Sequence, residues 1–354
     1  MSREIGTNDS KRLSEAISWL RFPLIFFIIL LHCFSVVQME GNHDTYFKVV
    51  YPFSLWIGET GVPGFFFISG FLFFLSKKSY SQKLQSRFHT LFIPYILWNA
   101  LLLVCYLLAY TAGHPQEINH KQMTDFEFVD YLRLFWDRGS FDNGNFVPLL
   151  CPFWYIRNLL FMCILSPVLF YIIRYARELF LVIVAIGWLS TNHNAFIPQT
   201  ILFFCIGSYF SIHGINPLKV FSENKRWIFS IFCILAIADF LTHMVSVTPF
   251  NLQIHRLALI INIPALFLLA DFCVKESWSN KLFPESAFIV FAIHYPIIVV
   301  LRKICAVKFT DASDVTHIIL YFLCIIIATV ASIFFYLILT KFFPKLKNIL
   351  SGNR

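Results

Sequence analysis

Two ionisable residues, Arg21 and His32, lie in the first apolar segment of the chain. In an α-helix this spacing corresponds to a rotation of about 1,100°, within roughly 20° of whole turns, and to a rise of about 16 Å. A guanidinium stays charged and binds phosphate, whereas an imidazole accepts a proton near neutral pH. The pattern predicts a phosphate-binding group and a general base aligned on one helix face. The alternative is that Arg21 reaches lipid headgroups and His32 bonds a neighbouring helix.

Further polar residues interrupt the later apolar segments. Glu59 is expected near the outer end of the second segment, where a carboxylate either orients a histidine, binds a hydroxyl or faces water. Lys83 and Arg87 precede the third segment, and such a basic cluster either anchors the helix or binds the phosphates of a nucleotide. Arg157 and His294 lie inside apolar runs, where an ionisable group costs several kcal/mol and so suggests function.

The composition identifies the solvent around these segments. The chain has 354 residues, of which 58% are hydrophobic and only 14% charged, whereas a soluble domain has roughly 25% charged residues. So few charges exclude a soluble enzyme, a secreted disulfide scaffold and a disordered regulator. The nine cysteines lie mostly in apolar runs without C-x-x-C spacing, so neither a disulfide framework nor a metal site is expected. The chain is therefore predicted to be a multi-spanning membrane protein.

The elements that position these residues are predicted to be helices. Continuous apolar runs do not alternate as barrel strands do, and helices satisfy their own backbone groups in lipid. A span needs about 20 apolar residues. The sequence predicts an all-α, polytopic fold of about ten transmembrane helices, at 17–37, 52–75, 88–112, 152–174, 178–190, 196–212, 227–247, 252–273, 284–301 and 315–343.

The basic residues predict the orientation of these spans. The net charge is +8, with 28 Lys and Arg. Counting Arg174 and Lys341, at the ends of their spans, with the adjoining segments, 18 fall in segments that are cytoplasmic if the N-terminus is cytoplasmic, seven in outer segments and three deeper inside spans. Basic residues collect in cytoplasmic loops. Both termini are therefore expected to be cytoplasmic, and the charge indicates topology rather than nucleic-acid binding. One domain over 1–354 is expected, with short tails at 1–14 and 344–354 and an outer loop at 113–151.

Several motifs resemble the membrane acyltransferase family 3, the integral-membrane O-acyltransferases of surface glycans. The family's Arg-x10-His pattern is matched by Arg21 and His32, and its F-F-x-x-S-G-F segment by residues 65–71. The R-x-x-R element is half kept, with Arg87 followed by Thr90 where the second Arg stands, and then Pro-Tyr at 94–95. The start of the fourth span, at 154–156, and a late His-x-Pro, at 294–296, also match.

The resemblance implies transfer of an acyl group, usually acetyl, from cytoplasmic acyl-CoA to a glycan or lipid-linked sugar hydroxyl, with no metal. The residues themselves and the resemblance together predict three groups of site residues. Those expected to be catalytic are His32, Arg21 and Glu59; those expected to bind donor are Arg21, Lys83, Arg87 and Ser69; those expected to bind acceptor are Trp154, Arg157 and His294. His32 is expected to act as the general base or as a transient acyl carrier, and the outer loop to shape the acceptor site.

One alternative belongs to a different functional class. Multiple spans with intramembrane charges and Pro/Gly breaks also suit a transporter or exporter of a glycan or small molecule. Two similar halves would favour that alternative, and the sequence shows none. A multi-pass protein of the cell membrane, in contact with lipid and without a nucleic-acid partner, is expected in either case.

Overall fold

The computed structural model describes residues 7–36, 44–114, 117–118, 121–138, 146–191, 196–244, 250–278 and 280–353. Nearly all of them are helical, which confirms the predicted fold class. Fourteen α-helices lie in these ranges: α1 Thr7–Cys33, α2 Asp44–Tyr51, α3 Gly61–Leu75, α4 Tyr80–Arg87, α5 Ile93–Thr111, α6 Phe128–Arg133, α7 Trp154–Ser190, α8 Phe196–Ile212, α9 Pro217–Glu223, α10 Lys225–Met244, α11 Asn251–Lys275, α12 Leu282–Lys308, α13 Asp314–Phe342 and α14 Pro344–Ser351.

Short irregular helices and one small hairpin complete the described structure. π-Helical turns at Pro52–Ile57 and Phe88–Phe92 continue α2 and α4 towards the next helix, and 3₁₀ turns lie at Phe34–Val36, Gly58–Thr60, Met123–Asp125 and Cys151–Phe153. The two-residue strands β1 and β2, at Glu117–Ile118 and Lys121–Gln122, pair antiparallel.

Eight helical segments of the described chain are long and apolar enough to cross a membrane: those of α1, α2–α3, α4–α5, α7, α10, α11, α12 and α13. The pair α8 and α9, bent by 95°, adds a ninth candidate. These segments confirm a multi-pass membrane protein. The difference from the ten predicted spans lies in the segment Cys151–Ser190, which contains both the fourth and the fifth predicted spans, 152–174 and 178–190. Within it, α7 is broken at Arg177 (φ 49°, ψ −129°).

The first part of α7 runs parallel to α8. The ring of Trp154 stacks on that of Phe196, with centroids 3.9 Å apart, at the start of both helices. At their other ends the Nε2 atom of His213 lies 3.3 Å from the carbonyl oxygen of Ile173. Contacts therefore advance in the same direction along both helices.

Beyond Arg177 the contacts with α8 advance in the opposite direction. Glu178 accepts a hydrogen bond from the hydroxyl of Tyr209, near the end of α8. Ten residues later, Trp188 packs against Phe203, nearer its start, with ring centroids 5.4 Å apart. The chain therefore reverses at Arg177, and 178–190 is a separate helical segment that is short for a full span.

Both ends of the described chain lie at one end of the bundle. Arg12, in the second turn of α1, forms an ion pair with Asp271 near the end of α11. Gly352, just after α14, packs on the backbone of Thr90. We call this the inner end, following the predicted orientation, and the opposite end the outer end. Cytoplasmic placement of the inner end stays a prediction.

Close packing of α3 on α8 depends on two glycines. A Cβ atom on Gly70 would lie 2.1 Å from the carbonyl oxygen of Phe204, and one on Gly207 would lie 1.9 Å from that of Phe67. Because such distances exclude any side chain, the two backbones are in direct contact, as small residues permit in membrane helices. This contact fixes the rotation of α3 and directs the neighbouring Ser69 away from α8.

Candidate active site

A cavity of about 430 Å³ lies at the inner end, against the same face of α1 that carries Arg21. Its charged residues are Arg21 of α1, Arg87 of α4, and Lys281 and Glu285 at the start of α12. Three basic groups against one acid leave the cavity positive. The Arg21 guanidinium forms no hydrogen bond or ion pair with any residue in the described ranges, so its five N–H donors are available to a ligand. The cavity therefore has the charge and the free donors to bind phosphate.

The remainder of the cavity is mainly apolar and extends towards the outer end. Its walls include Ile25, one turn after Arg21, and Phe291 of α12. The polar exceptions are Ser69 and Tyr155, whose hydroxyl oxygens lie 3.0 Å apart. A long, flexible chain with a charged head fits such a cavity, because the head meets the basic residues while the chain is buried along the wall.

His32 lies beyond the apolar end of this cavity and pairs with a second histidine. Its ring centroid is 5.5 Å from that of His294 and 5.1 Å from that of Tyr295. Phe291, which lines the cavity, is one helical turn before His294, with ring centroids 5.9 Å apart. The structure therefore brings His32 and His294, predicted from two distant parts of the sequence, to one place along the line from Arg21.

The hydrogen bonds of His294 define its neutral tautomer. Its side chain is fully buried, and Nδ1 lies 3.1 Å from the carbonyl oxygen of Val290. A carbonyl only accepts, so Nδ1 carries the hydrogen and Nε2 carries a lone pair. That Nε2 is buried without a hydrogen-bond partner in the described structure. A buried acceptor of this kind is rare in folded proteins and is able to accept a proton or a hydroxyl hydrogen bond.

The outer loop contributes a cation next to this histidine pair. Arg138 interacts with Cys151 and with Tyr295, whose ring contacts His32. Burial by itself lowers the pKa of Arg138, whereas the interactions with Cys151 and Tyr295 raise it. The net pKa lies above its usual value, so the guanidinium stays charged. The predicted outer loop thus reaches the site through Arg138; residues 139–145 of that loop lie outside the described ranges.

Glu59 belongs to a different cluster, formed with α10 and α11. Its Oε2 lies 3.0 Å from Nε2 of His255, whose Nδ1 lies 3.1 Å from Oδ2 of Asp239. The Tyr51 hydroxyl donates to the same Asp239 oxygen and lies 2.7 Å from Nδ1 of His243. No hydrogen bond connects Glu59 to His32 in the part of the chain that the structure describes. Glu59 thus contacts a histidine, as one of its predicted roles requires, but that histidine is His255.

The contacts of His255 specify its charge. Both ring nitrogens face carboxylate oxygens, which only accept, so both nitrogens carry hydrogen and the ring is an imidazolium. Its charge is neutralised by Glu59 and Asp239 on either side. The described residues contain no group of three His, Cys, Asp or Glu side chains arranged to hold a metal ion.

Two further residues that were predicted to bind substrate have their contacts within the protein. Trp154, which is 7% exposed, stacks on Phe196 between α7 and α8. Lys83 lies outside the cavity lining, with Nζ 5.1 Å from the ring centroid of Phe73. The structure therefore groups Arg21, Arg87 and Ser69 in one cavity, without Lys83.

Arg157 connects α7 to the outer loop. It is 3% exposed; Nη1 donates to the carbonyl of Trp136 (2.6 Å) and Nη2 to that of Phe146 (3.1 Å). Nε and Nη2 also contact Oδ1 of Asn158. The guanidinium lies 4.1 Å from the ring centroid of Phe146. These contacts use the donors of Arg157 to hold the loop over the bundle.

Thr90 stands where the R-x-x-R element has its second arginine, and its surroundings are defined by two contacts. Thr90 donates through its hydroxyl to the carbonyl of Ser86 (2.9 Å), and its backbone is covered by Gly352. Next to it, Trp98 Nε1 donates to the carbonyl of Leu350, at 3.0 Å. The C-terminal helix α14 thus packs beside Thr90, and the three cations of the cavity are Arg21, Arg87 and Lys281.

Sequence reasoning missed several residues of both clusters. In the sequence, Tyr155 stands out only as part of the matched segment 154–156, and Lys281 only as one of the basic residues that predict the orientation. Asp239 and His255 carried no local motif that distinguished them from ordinary buried pairs. The available signal was composition: an acid and a histidine in apolar runs each need a partner.

Comparisons with known proteins identify relatives of the chain as a whole. Residues 14–338 match the sequence model of a family described as an acyltransferase domain. The chain is also similar to the succinoglycan biosynthesis protein ExoH of Rhizobium meliloti (strain 1021), with 25% identity over 301 residues that cover 81% of this chain and 79% of that protein. No solved structure matches significantly.

Proposed function

The chain belongs to this acyltransferase family, and we propose that it moves an acyl group from acyl-CoA at the inner end to a hydroxyl of a glycan or lipid-linked sugar. Acetyl is the expected group. Similarity to a protein of succinoglycan biosynthesis supports a glycan acceptor. As an acyltransferase the protein is an enzyme, and its spans make it a multi-pass membrane enzyme.

The shape and charge of the cavity support acyl-CoA as the donor. Phosphates of its nucleotide would contact Arg21, Arg87 and Lys281 at the inner end of the cavity. The pantetheine arm would then follow the apolar wall past Ser69 to Phe291. A thioester at the end of that arm would lie within a helical turn of His294 and near His32.

The histidine pair supplies the proton chemistry that the reaction needs. The acceptor oxygen attacks the thioester carbonyl while His32 takes the hydroxyl proton, and the carbon–sulfur bond breaks. The imidazolium then returns this proton to the departing thiolate, so that free thiol and the acylated sugar are the products. His294 binds the acceptor, because its unpartnered Nε2 accepts a hydrogen bond from a sugar hydroxyl.

One observation carries the proposal: a positive cavity runs along the Arg21 face of α1 to a pair of histidines that no carboxylate of the described residues neutralises. The test compares surface glycans from the parent strain, a deletion strain and complemented strains by NMR for O-acyl groups. We expect one O-acyl signal to disappear on deletion, to return with the wild-type gene, and to stay absent with His32→Ala.

A matched variant separates chemistry from damage to the fold. His213 lies directly after α8, where its Nε2 contacts the carbonyl of Ile173, and it does not line the cavity. His213→Ala at equal membrane abundance should restore the O-acyl signal. If His32→Ala restores it equally well, or if deletion removes no O-acyl group, the proposed function is wrong.

A further inference from the structure

A second cavity, which we call the flank groove, opens on the side of the bundle. It encloses about 890 Å³ between α4–α5 and α7 and is bounded towards the outer end by Phe135 and Trp136. Its walls are apolar side chains of membrane-spanning segments: Phe88, Phe92, Leu160, Phe161 and Ile164. Several are well exposed, Ile164 by 56%. Because these faces meet the hydrocarbon of the bilayer, the groove is open to lipid chains.

The inner end of the flank groove is polar and positively charged. Arg87 lines it together with Tyr80, Ser81 and Gln85. Residues 76–92 contain Lys77, Lys78, Lys83 and Arg87 but no Asp or Glu. No carboxylate lies within ion-pair distance of Arg87 in the ranges that the structure covers. The apolar groove thus ends at an unneutralised cation, which favours an anionic ligand over a neutral one.

Arg87 also lines the first cavity, in which acyl-CoA is proposed to bind. Arg87 thus lies between the two cavities, and Cys163 lines the flank groove beside it. Arginine has five N–H donors in a planar fork, enough to serve an anion on each side. A ligand in the groove would therefore hold Arg87 next to the donor.

We propose that the flank groove binds one anionic phospholipid of the inner leaflet, with an acyl chain along Phe92 and Phe161 and its phosphate at Arg87. An acyl chain matches the apolar walls, and a phosphate matches the Arg87 guanidinium, which no carboxylate of the described residues neutralises, at the level of the inner headgroups. This site requires no donor or acceptor, so it stands independently of the proposed acyl transfer.

The test measures lipids retained by the full chain. The protein is reconstituted into nanodiscs of equal parts phosphatidylglycerol and phosphatidylcholine, extracted into mild detergent and examined by native mass spectrometry. We expect one phosphatidylglycerol to remain on the wild type in preference to phosphatidylcholine. Arg87→Gln should remove this preference, about tenfold for one charge-assisted phosphate contact.

Two neighbouring residues of α7 provide a matched pair for the groove itself. Ile164 lines it, whereas Leu165 does not, and both are exposed, at 56% and 49%. Ile164→Trp fills the groove and should abolish retention, while Leu165→Trp should retain phosphatidylglycerol like the wild type. Equal retention by these two variants, or equal retention of both lipids by the wild type, would overturn the proposal. Neither readout uses acyl transfer, so failure here leaves the proposed function intact.

Discussion

The bundle contains two histidine pairs whose surroundings differ. His32 and His294 face each other with aromatic neighbours and no carboxylate within hydrogen-bonding distance in the described chain, and Nε2 of His294 has no partner. In the second pair, His255 is held between Glu59 and Asp239, and the neighbouring His243 contacts Asp239 as well. The same side chain is therefore a neutral acceptor in one place and a neutralised cation in the other.

This difference separates chemistry from structure. A histidine that acts on substrate needs a free lone pair, which Nε2 of His294 has and the imidazolium of His255 lacks. The carboxylate-bound pair instead connects α10 and α11 to the segment around Glu59, since each charge there depends on its neighbours for solvation. We infer that the first pair acts on substrate and that the second holds the helices together.

The largest expected effect is on the first pair. His32→Ala should reduce the rate of acyl transfer by about 10²–10⁴-fold, because the general base is lost. The measurement is release of free thiol from acyl-CoA by purified protein in bilayers with acceptor present. Its thermal unfolding should stay close to that of the wild type, since the ring of His32 makes no hydrogen bond within the described structure.

The next effect is on the second pair and appears in stability. His255→Ala leaves Glu59 and Asp239 near each other without their shared cation, and removing one partner of a buried ion pair costs about 3–5 kcal/mol. Thermal unfolding in nanodiscs should therefore occur at a clearly lower temperature. An unchanged unfolding temperature would show that His255 carries no charge in the folded protein.

A smaller effect is expected at Arg21, at the inner end of the cavity that leads to His32 and His294. Arg21→Lys keeps the charge but loses the planar fork of donors, so the KM for donor should rise about tenfold with kcat nearly constant. Steady-state kinetics with varied acyl-CoA measure both constants. A fall in kcat without a change in KM would place Arg21 in the chemical step instead.

The smallest expected effect is at Glu59, which the sequence suggested as a catalytic group. Its side chain is 26% exposed, and a glutamine oxygen still accepts from His255, so Glu59→Gln should cost about 1 kcal/mol of stability or less. Turnover should stay near that of the wild type in the same thiol-release assay. A loss comparable to that of His32→Ala would assign Glu59 to catalysis after all.

The sequence predicted the site around Arg21 and His32 better than the cluster around Glu59 and His255, for a physical reason. Arg21 and His32 lie on one helix, so helical geometry alone aligns them, and Gly70 next to Ser69 indicates a close helix contact. Glu59 and His255 are 196 positions apart, and their contact depends on how separate helices pack. No local pattern encodes that packing.

The same limit explains the other differences. Arg157 was predicted to bind acceptor from its depth in the membrane, but depth does not reveal the loop carbonyls of Trp136 and Phe146 that use its donors. Hydropathy separated 152–174 from 178–190 correctly as two apolar runs. It did not reveal that one residue, Arg177, makes the reversal between them.

One assay of both histidine pairs tests whether His32 acts on substrate while His255 only holds the helices together. His32→Ala and His255→Ala are purified in nanodiscs, adjusted to equal folded protein at a temperature where both are stable, and assayed for single-turnover acyl transfer. We expect near wild-type transfer by the folded His255→Ala protein and almost none by His32→Ala. Transfer that persists in His32→Ala but is lost in folded His255→Ala would contradict this expectation.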